Sequence, residues 1–399
     1  MFSIKELINK KILIYGFGKT GKSVKKYFDS NCIKYSIWDD NKKINLQNVN
    51  KNFLKKKYDF IILSPGIDIY HHKYKSFFKK NKNKIITDLD IFFSNIAKCN
   101  YVIGVTGTNG KSGFCNLLKK ILDKNKINSK IIGNFGNPVL NIKNFKNQYI
   151  IVELSSYQLD YSKYLQLDVA CILNISPDHL ERHDTMSRYK GIKLKIFKFL
   201  KNNGKGFFLK RSFKIKKKRN IKGFLSINKK LLNDIIGKKV SISDKDIKEN
   251  NLKHRNEFFF KKKNFKFIND SKSTNFNSTR FAIKKFENIF LILGGILKKG
   301  DNFFIKDLMY RIKKVYIFGN QVNSLKKSLI NQNIQFYHCK SLKEVIKIFY
   351  EIDYYKNIQN QRDSTLLFSP GGASFDEFEN YEKRGLKFKK YIYEFFERK

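Results

Sequence analysis

The sequence has few of the residues that mark secreted, disulfide-bonded or membrane-spanning proteins. It contains 4 prolines, 3 methionines, 1 tryptophan and 5 cysteines in 399 residues. The cysteines are odd in number and scattered, with no CxxC pair, which excludes the usual disulfide or zinc frameworks. No stretch approaches the roughly 18 consecutive apolar residues of a transmembrane helix, and the opening MFSIKELINK holds no apolar signal core. We therefore expect a cytoplasmic protein without a membrane partner.

Acidic residues are also scarce. The sequence has 34 Asp plus Glu and 82 Lys plus Arg, which gives a net charge of +48. A basic balance of this size suggests a nucleic-acid partner. Here, however, lysine is spread over every segment and is accompanied by many Asn, Ile, Phe and Tyr, the mixture that A/T-rich codons produce. A nucleic-acid surface would concentrate the charge on one element with interleaved aromatic residues. We expect no specific nucleic-acid partner.

The alternation of short apolar runs with helical stretches predicts parallel sheets built from βαβ units. The pattern restarts near residue 97 and again near residue 285, while residues 200–265 are rich in lysine and poorly periodic. At roughly 150 residues per domain, the length allows two or three domains. We predict an α/β protein with an N-terminal Rossmann-like domain at 1–96, a central P-loop ATPase-like domain at 97–284 and a C-terminal Rossmann-like domain at 285–399.

A glycine loop between an apolar strand and an apolar helix is the clearest candidate site. It reads GTNGKS, comprising Gly107, Thr108, Asn109, Gly110, Lys111 and Ser112. Glycines let successive N–H groups face an anion, and the helix start adds its positive dipole end. Lys111 is expected to reach the β- and γ-phosphates of ATP, and Ser112 to offer its hydroxyl to Mg²⁺. Strict P-loop spacing would place glycine where the chain has Val105, so the loop is a variant.

A second glycine turn, GFGKTG, follows the first apolar run and matches GxGxxG at Gly16, Gly18 and Gly21. Asp39 ends the next strand about 20 residues on, as in dinucleotide-binding folds. A nucleoside diphosphate with its sugar or base near Asp39 fits equally well, and no hydride-transfer site is recognisable. The remaining alternative is that the GFGKTG segment is a tight turn that binds no ligand.

Eight motifs together resemble the Mur ligase family. In chain order they are SPGI, GTNGKS, GNFGNP, ELSSYQLD, NISPDHLERH, NDSKSTN, LGG and SPGGASFDEFENYEKRG. They cover nearly the whole chain except about 200–250. The GTNGKS loop alone would also admit folylpolyglutamate synthases, whereas ELSSYQLD and the C-terminal motif are similar to those of the D-glutamate-adding member.

The resemblance implies an ATP-dependent, amide-forming ligase that joins D-glutamate to UDP-N-acetylmuramoyl-L-alanine through an acyl phosphate, in peptidoglycan precursor synthesis. It implies ATP and two Mg²⁺ ions as cofactors and a monomeric protein. The alternatives are another Mur ligase, a ligase similar to folylpolyglutamate synthase, or a decayed protein of the same fold that binds without turnover.

The resemblance also implies roles for individual residues. Lys111, Glu153, His179 and Lys193 match catalytic positions, and Ser112, Glu153, His179 and Lys193 match metal ligands. Lys193 would be carbamylated; only the family register, with Tyr189 four residues before, selects it over Lys190 and Lys195. Beside the glycine loop, the ATP contacts are Arg255, Asp270 and Lys272. The substrate contacts are Thr20, Asp39, Asn134, Gln158, Thr274, Lys298, Ser374, Phe375 and Tyr381.

Two departures from the family pattern concern the nucleotide and the amino acid. The HNxxN segment that helps hold the adenine is not recognisable near residue 228, which leaves ATP affinity open. Ile296 and Leu297 replace the usual Asp-Gly before Lys298. The local turn there is expected to differ.

Overall fold

The computed structural model describes residues 4–41, 52–95, 100–134, 138–141, 148–210, 220–248, 253–297, 303–359, 362–374 and 376–397. The chain divides into two compact units. One comprises Met1–Ile175 with Arg182–Asn250, and the other comprises Ser176–Glu181 with Asn251–Lys399. Within the described residues the strands form three sheets, and the α/β fold class is confirmed.

The first sheet has the strand order β2-β1-β3-β4, with parallel pairing throughout. Its strands are β1 (Ile12–Tyr15), β2 (Ser36–Trp38), β3 (Phe60–Leu63) and β4 (Ile85–Ile86). The accompanying helices are α1 (Ile4–Ile8), α2 (Lys19–Asp29), α3 (Lys75–Lys80) and α4 (Asp88–Asn95). Every residue of β1 is buried, as expected for a parallel strand covered on both faces.

The second sheet lies in the same unit and has the order β10-β9-β8-β5-β7-β6, again parallel. Its strands are β5 (Tyr101–Thr106), β6 (Ser129–Gly133), β7 (Tyr149–Glu153), β8 (Leu167–Ile172), β9 (Leu200–Leu209) and β10 (Ile221–Phe224). The helices are α5 (Lys111–Lys124), α6 (Ser156–Tyr161), α7 (Leu180–His183), α8 (Met186–Leu194), α9 (Lys229–Ile236) and α10 (Asp244–Lys248). Helix α5 buries Phe114, Leu117, Leu118 and Ile121, the 3.6-residue period of an amphipathic helix.

The third sheet has the order β11-β12-β16-β13-β14-β15, in which β11 pairs antiparallel with β12 and the other pairs are parallel. Its strands are β11 (Glu257–Lys262), β12 (Phe265–Asn269), β13 (Ile289–Gly294), β14 (Ile312–Phe318), β15 (Tyr337–Cys339) and β16 (Ser364–Gly371). The helices are α11 (Phe276–Ile283), α12 (Asn323–Ile330), α13 (Leu342–Ile348), α14 (Tyr355–Asn357) and α15 (Tyr381–Phe396).

Strands β11 and β12 join the third sheet although the sequence places them before residue 285. Phe265 to Asn269 pair with Ser364 to Phe368, almost a hundred residues away. Such a pairing depends on the folded chain and leaves no local signal. A boundary at 284/285 would therefore separate β11 and β12 from the rest of their sheet. The three-domain division stays a prediction.

No helix in the described part of the chain is long and apolar enough to cross a membrane.

Asp88 opens helix α4 with its carboxyl buried, which makes the stability of the first unit depend on pH. Burial, with the nearby charge of Asp90, raises the pKa of Asp88 to about 6, from an ordinary value of 3.8. The folded state therefore favours the protonated acid. The stability that this contributes is lost as the pH rises from the pKa of Asp88 in the unfolded chain through its pKa in the folded chain.

We expect Asp88→Asn to gain stability relative to the wild-type protein as the pH rises. The difference in the free energy of unfolding should grow by about 2 kcal/mol between about pH 4 and pH 8. Urea unfolding of both proteins across this range measures it. A difference that stays constant with pH would contradict the proposed titration of Asp88.

Candidate active site

The glycine loop lies at the carboxyl end of β5, where it turns into α5. Gly110 caps the helix with a φ of 86°, in the left-handed region that favours glycine. The Lys111 ammonium folds back over the loop and donates to the carbonyls of Gly107 at 2.7 Å and Thr108 at 2.9 Å. Ser112 is 5% exposed in the first turn of α5. The loop thus combines a helix start, a held cation and a hydroxyl, the arrangement that binds phosphate groups.

Two residues outside the loop hold it in place. The Asn174 side chain accepts from the Asn109 N–H and donates to the Asn109 carbonyl, both at 2.8 Å. The Asn174 carbonyl accepts from the Thr108 N–H, also at 2.8 Å. The hydroxyls of Thr108 and Tyr189 lie 3.0 Å apart. Sequence analysis gave Asn174 no role, because its place directly after an apolar run, at the start of the NISPDH motif, does not show which segment lies beside it.

Glu153 ends strand β7, the neighbour of β5, and pairs in register with Val105. Its side chain is 2% exposed. Oε1 accepts from the Asn134 amide at 3.1 Å, whereas Oε2 is buried and has no hydrogen-bond partner among the described residues. A buried carboxylate oxygen without a donor is costly unless a cation or another ligand meets it.

This arrangement fits a magnesium ion. A carboxylate and a hydroxyl are the oxygen ligands that a hard cation prefers, and Mg²⁺ in phosphate-transfer sites commonly uses one or two carboxylates together with substrate phosphates. The described residues hold no cluster of three or more His, Cys, Asp or Glu side chains around a metal position. Ser112 and Glu153 would supply oxygen ligands to an ion that is bound together with the nucleotide phosphates.

Gly133 permits the close approach that brings Asn134 to Glu153. Its φ is +102°, and an added Cβ would lie 2.3 Å from the Glu153 carbonyl oxygen. The Asn134 N–H donates to that carbonyl at 2.8 Å. Asn134 therefore bonds Glu153 through both its main chain and its side chain, and its expected contact with the muramoyl substrate stays a prediction.

The charge of Glu153 also affects a buried thiol in helix α5. Burial, followed by the Glu153 carboxylate, raises the pKa of the Cys115 thiol well above its ordinary value. Cys115 is fully buried in helix α5 and behaves as an apolar side chain.

The three lysines of RYKGIKLKIF have different surroundings. Lys193 is 1% exposed, and its amine donates to the Gly107 carbonyl at 2.9 Å. The amine also lies 4.7 Å from the centre of the Tyr189 ring. Lys195 instead donates to the carbonyls of Asp160 and Ser162. Lys190 is half-buried. Lys193 is thus directly bonded to the glycine loop.

His179 lies in the segment Ser176–Glu181, which groups with the second unit. Its φ is 55°, in the left-handed region. The ring nitrogens lie 3.5 Å from an Asp178 oxygen and 3.3 Å from a Glu181 oxygen. The imidazole is therefore flanked by two carboxylates, and its expected role as a magnesium ligand stays a prediction.

At the first glycine turn, Asp39 binds main-chain groups. Its carboxylate accepts from the N–H of Phe17 at 2.5 Å and of Asn41 at 2.7 Å. Thr20 is half-buried at the start of α2. Asp39 therefore fixes the shape of the GxGxxG turn, and its contact with a nucleotide stays a prediction.

Gln158 is buried in helix α6, where it forms a capping box with Ser155. Its side-chain oxygen accepts from the Ser155 N–H at 3.0 Å and lies 3.1 Å from the Ser155 hydroxyl. The local role of this oxygen is to cap the helix. The predicted contact of Gln158 with the substrate is untested.

The second unit collects several predicted residues around Asp270. This carboxyl is 2% exposed and accepts from Ser273 Oγ at 2.5 Å, Ser369 Oγ at 2.7 Å and the Asn256 N–H at 3.0 Å. Burial raises its pKa, against the opposing effect of these hydrogen bonds. Asp270 thus ties the start of the NDSKSTN loop to strand β16.

The other predicted residues of the second unit lie nearby or outside the described residues. The Lys272 amine lies 5.1 Å from the centre of the Tyr381 ring, and the Tyr381 carbonyl accepts from Ser271 Oγ. Ser374 is 3% exposed. Arg255 and Thr274 are half-buried. Lys298 and Phe375 lie outside the residues that the structure describes.

Arg384 is a buried cation of this region that sequence analysis missed. It is fully buried and donates to the hydroxyl and carbonyl of Ser271 and to the Gly372 carbonyl. Burial lowers its pKa to about 10. The guanidinium therefore joins the NDSKSTN and SPGGAS loops; the EKRG sequence alone gave no sign that its arginine is internal.

Comparison with known proteins gives matches to the central part of the chain and to its full length. A family model described as the Mur ligase middle domain matches residues 105–280. A UDP-N-acetylmuramoylalanine–D-glutamate ligase of Francisella tularensis subsp. novicida is 33% identical, over 98% of both chains. Ligases of the same name from Rickettsia bellii and Prochlorococcus marinus are 31% and 30% identical, over at least 96% of each chain.

Solved structures match the fold. MurF ligase from Thermotoga maritima, in complex with ADP, superposes with a TM-score of 0.54 and 17% identity, over 98% of this chain and 96% of that chain. MurF from Acinetobacter baumannii gives a TM-score of 0.52 at 17% identity, over 73% of this chain and 77% of that chain. The resemblance of the motifs is thus confirmed over the full length, and the chain belongs to the Mur ligase family.

Proposed function

We propose that this chain is an ATP-dependent ligase that adds D-glutamate to UDP-N-acetylmuramoyl-L-alanine, in peptidoglycan precursor synthesis. The observation that carries the proposal is that the Lys111 loop and the buried Glu153 carboxylate lie at the carboxyl ends of the neighbouring strands β5 and β7. In the part of the chain that the structure describes, no donor bonds Glu153 Oε2. The full-length similarity to ligases with this printed name supports the choice of substrates.

The first step joins two anions, so neutralisation of charge dominates it. The terminal carboxylate of UDP-N-acetylmuramoyl-L-alanine attacks the γ-phosphorus of ATP, forming an acyl phosphate and releasing ADP. Lys111 supplies positive charge to the phosphates, and the start of α5 supplies oriented N–H groups. Ser112 and Glu153 would hold Mg²⁺, which when bound neutralises phosphate charge.

In the second step, the amine of D-glutamate attacks the acyl carbon, the amide bond forms and inorganic phosphate leaves. The amine loses a proton in this step, which passes to the departing phosphate or to solvent water. A dicarboxylate substrate requires cations and hydroxyl donors. We assign the cation to Lys298 and the hydroxyls to Thr274, Ser374 and Tyr381, and we assign Phe375 an apolar contact with the same substrate. We assign ATP contacts to Arg255, Asp270 and Lys272, and the second magnesium to His179 and Lys193.

We further propose that the protein acts in the cytoplasm as a monomer, where ATP and the nucleotide-linked substrate are available. The half-buried Thr20 and the turn-binding Asp39 would contact the uridine diphosphate. Asn134 and Gln158 would lie along its phosphate-sugar part.

Phosphate release measured with a panel of amino acids tests the proposed function. We expect release that requires ATP, UDP-N-acetylmuramoyl-L-alanine and D-glutamate together. Equal release with L-lysine, glycine or L-glutamate would contradict the assigned amino acid. Release that responds to a folate instead of the muramoyl nucleotide would indicate a ligase of the folylpolyglutamate type, and binding without release would indicate a decayed enzyme.

Carbamylation of Lys193 is a separate prediction. A carbamate converts the amine into an anionic oxygen ligand, and the burial of Lys193 beside Gly107 would protect it from hydrolysis. Protein equilibrated with ¹³C-bicarbonate should show one carbamate carbon resonance that is lost in Lys193→Ala and kept in Lys190→Ala. A spectrum unchanged by Lys193→Ala would contradict the modification.

A further inference from the structure

Asn174 is hydrogen-bonded to the glycine loop through both its side chain and its main chain. Its side-chain amide both accepts from the N–H and donates to the carbonyl of Asn109, at 2.8 Å in each case. Its main-chain carbonyl takes the Thr108 N–H at the same distance. Asn174 thereby bonds two consecutive loop residues through three hydrogen bonds.

The position of Asn174 follows from the sheet. Strand β8 pairs with β5, with Ile172 opposite Thr106, and the Leu173 N–H donates to the Thr106 carbonyl at 3.0 Å. Asn174 therefore lies beside the loop just past the strand ends. An asparagine amide has the donor and acceptor of a peptide group in one plane. The Asn174 side chain therefore continues the hydrogen bonding between β5 and β8 along the side of the loop.

These bonds determine which way the loop amides point. The N–H groups of Thr108 and Asn109 are directed to Asn174 and are occupied there. The same peptides place the carbonyls of Gly107 and Thr108 on the Lys111 ammonium. Without the Asn174 side-chain amide, the Asn109 N–H and the Asn109 carbonyl would each lose the hydrogen bond to Asn174. The loop could then change its shape.

We infer that Asn174 is a positioning residue for nucleotide binding, acting through the Asn109 peptide to keep the loop in its phosphate-binding shape. The inference rests on the proposed function, because it requires a nucleotide on this loop. It adds a residue that touches the loop rather than the ligand.

The chain offers a matched control at the other end of helix α5. The Asn125 side chain accepts from the Ser241 N–H at 2.9 Å and donates to the Ser241 carbonyl at 3.0 Å, the same reciprocal pairing with a peptide. Asn174→Ala removes the reciprocal pair at the loop, and Asn125→Ala removes the corresponding pair together with a bond to the Ile121 carbonyl at 2.8 Å. They differ in whether the bonded peptide belongs to the glycine loop.

The experiment is titration of the full-length chain with MgADP, followed calorimetrically, for wild type, Asn174→Ala, Asn174→Asp and Asn125→Ala. We expect Asn174→Ala to raise the Kd of MgADP roughly 10-fold, the effect of losing one to two partly buried hydrogen bonds. Asn174→Asp should weaken binding at least as much, because it loses the donor. Asn125→Ala should bind MgADP as wild type does, although it also loses thermal stability.

Steady-state kinetics provide a second measurement. Asn174→Ala should raise the KM for ATP and leave the KM for D-glutamate unchanged. Unaltered MgADP affinity in Asn174→Ala, or equal weakening in both alanine variants, would overturn the inference while leaving the proposed function intact. Failure of the wild-type protein to bind MgADP would overturn both. Variants that do not fold, judged from thermal unfolding, are replaced by Asn174→Ser, for which the same outcomes apply.

Discussion

Replacing Lys111 by alanine is expected to lower kcat/KM for ATP by about 100-fold or more, the usual cost of removing a group that stabilises developing charge. The Lys111 ammonium is already held over the loop by the carbonyls of Gly107 and Thr108. It therefore stands where phosphate charge would be neutralised. Phosphate release at saturating muramoyl nucleotide and D-glutamate, as a function of ATP, measures the effect.

Lys124 provides the matched control for this prediction. It lies at the opposite end of α5 and pairs with Asp246 at 2.8 Å. Lys124→Ala removes a lysine from the same helix and breaks a partly buried ion pair without touching the loop. Its activity should therefore stay within about twofold of wild type. Near-normal ATP use by Lys111→Ala would contradict the assignment of the loop.

The second large effect is expected for Glu153→Gln. The substitution keeps the shape of the side chain and removes the charge, so Oε1 still accepts from Asn134 while a cation loses its anionic ligand. Activity should fall by about 100-fold or more at any Mg²⁺ concentration. Thermal stability should stay close to wild type, because the cost of the lost charge-assisted bond is offset by no longer burying a charge.

The control for Glu153 is Asp168, a carboxylate in the same sheet that lies near the amino end of β8, whereas Glu153 lies at the carboxyl end of β7. Asp168 accepts from the Val102 N–H and pairs with Lys201. Asp168→Asn should therefore lower stability and preserve turnover. If both variants lose activity in proportion to stability, or if Glu153→Gln keeps its Mg²⁺ response, Glu153 is not the metal ligand.

The parts of this site that sequence predicted are those with local signals. The glycine loop is bounded by an apolar strand and an amphipathic helix, and Glu153 closes an apolar run, so both are expected at the carboxyl edge of a parallel sheet. The choice among the lysines near residue 193 did not come from a local signal. It came from family register, and the structure adds that Lys193 bonds the loop carbonyl.

The parts that sequence missed depend on contacts between distant segments. Asn174 resembles any asparagine after a strand, and its role becomes visible only because β8 lies beside β5. Strand β12 was not predicted, since its partner in β16 is almost a hundred residues away. Arg384 is an ordinary helical arginine in sequence, yet it is fully buried between two loops.

The central claim is that the loop and Glu153 serve the formation of an acyl phosphate on the substrate carboxylate. The most direct measurement follows the oxygen that this step transfers. UDP-N-acetylmuramoyl-L-alanine labelled with ¹⁸O in its terminal carboxylate is incubated with ATP, D-glutamate and the full-length chain, and the released phosphate is analysed by mass spectrometry. The account predicts transfer of one ¹⁸O atom to each phosphate formed. Phosphate released without label would contradict it.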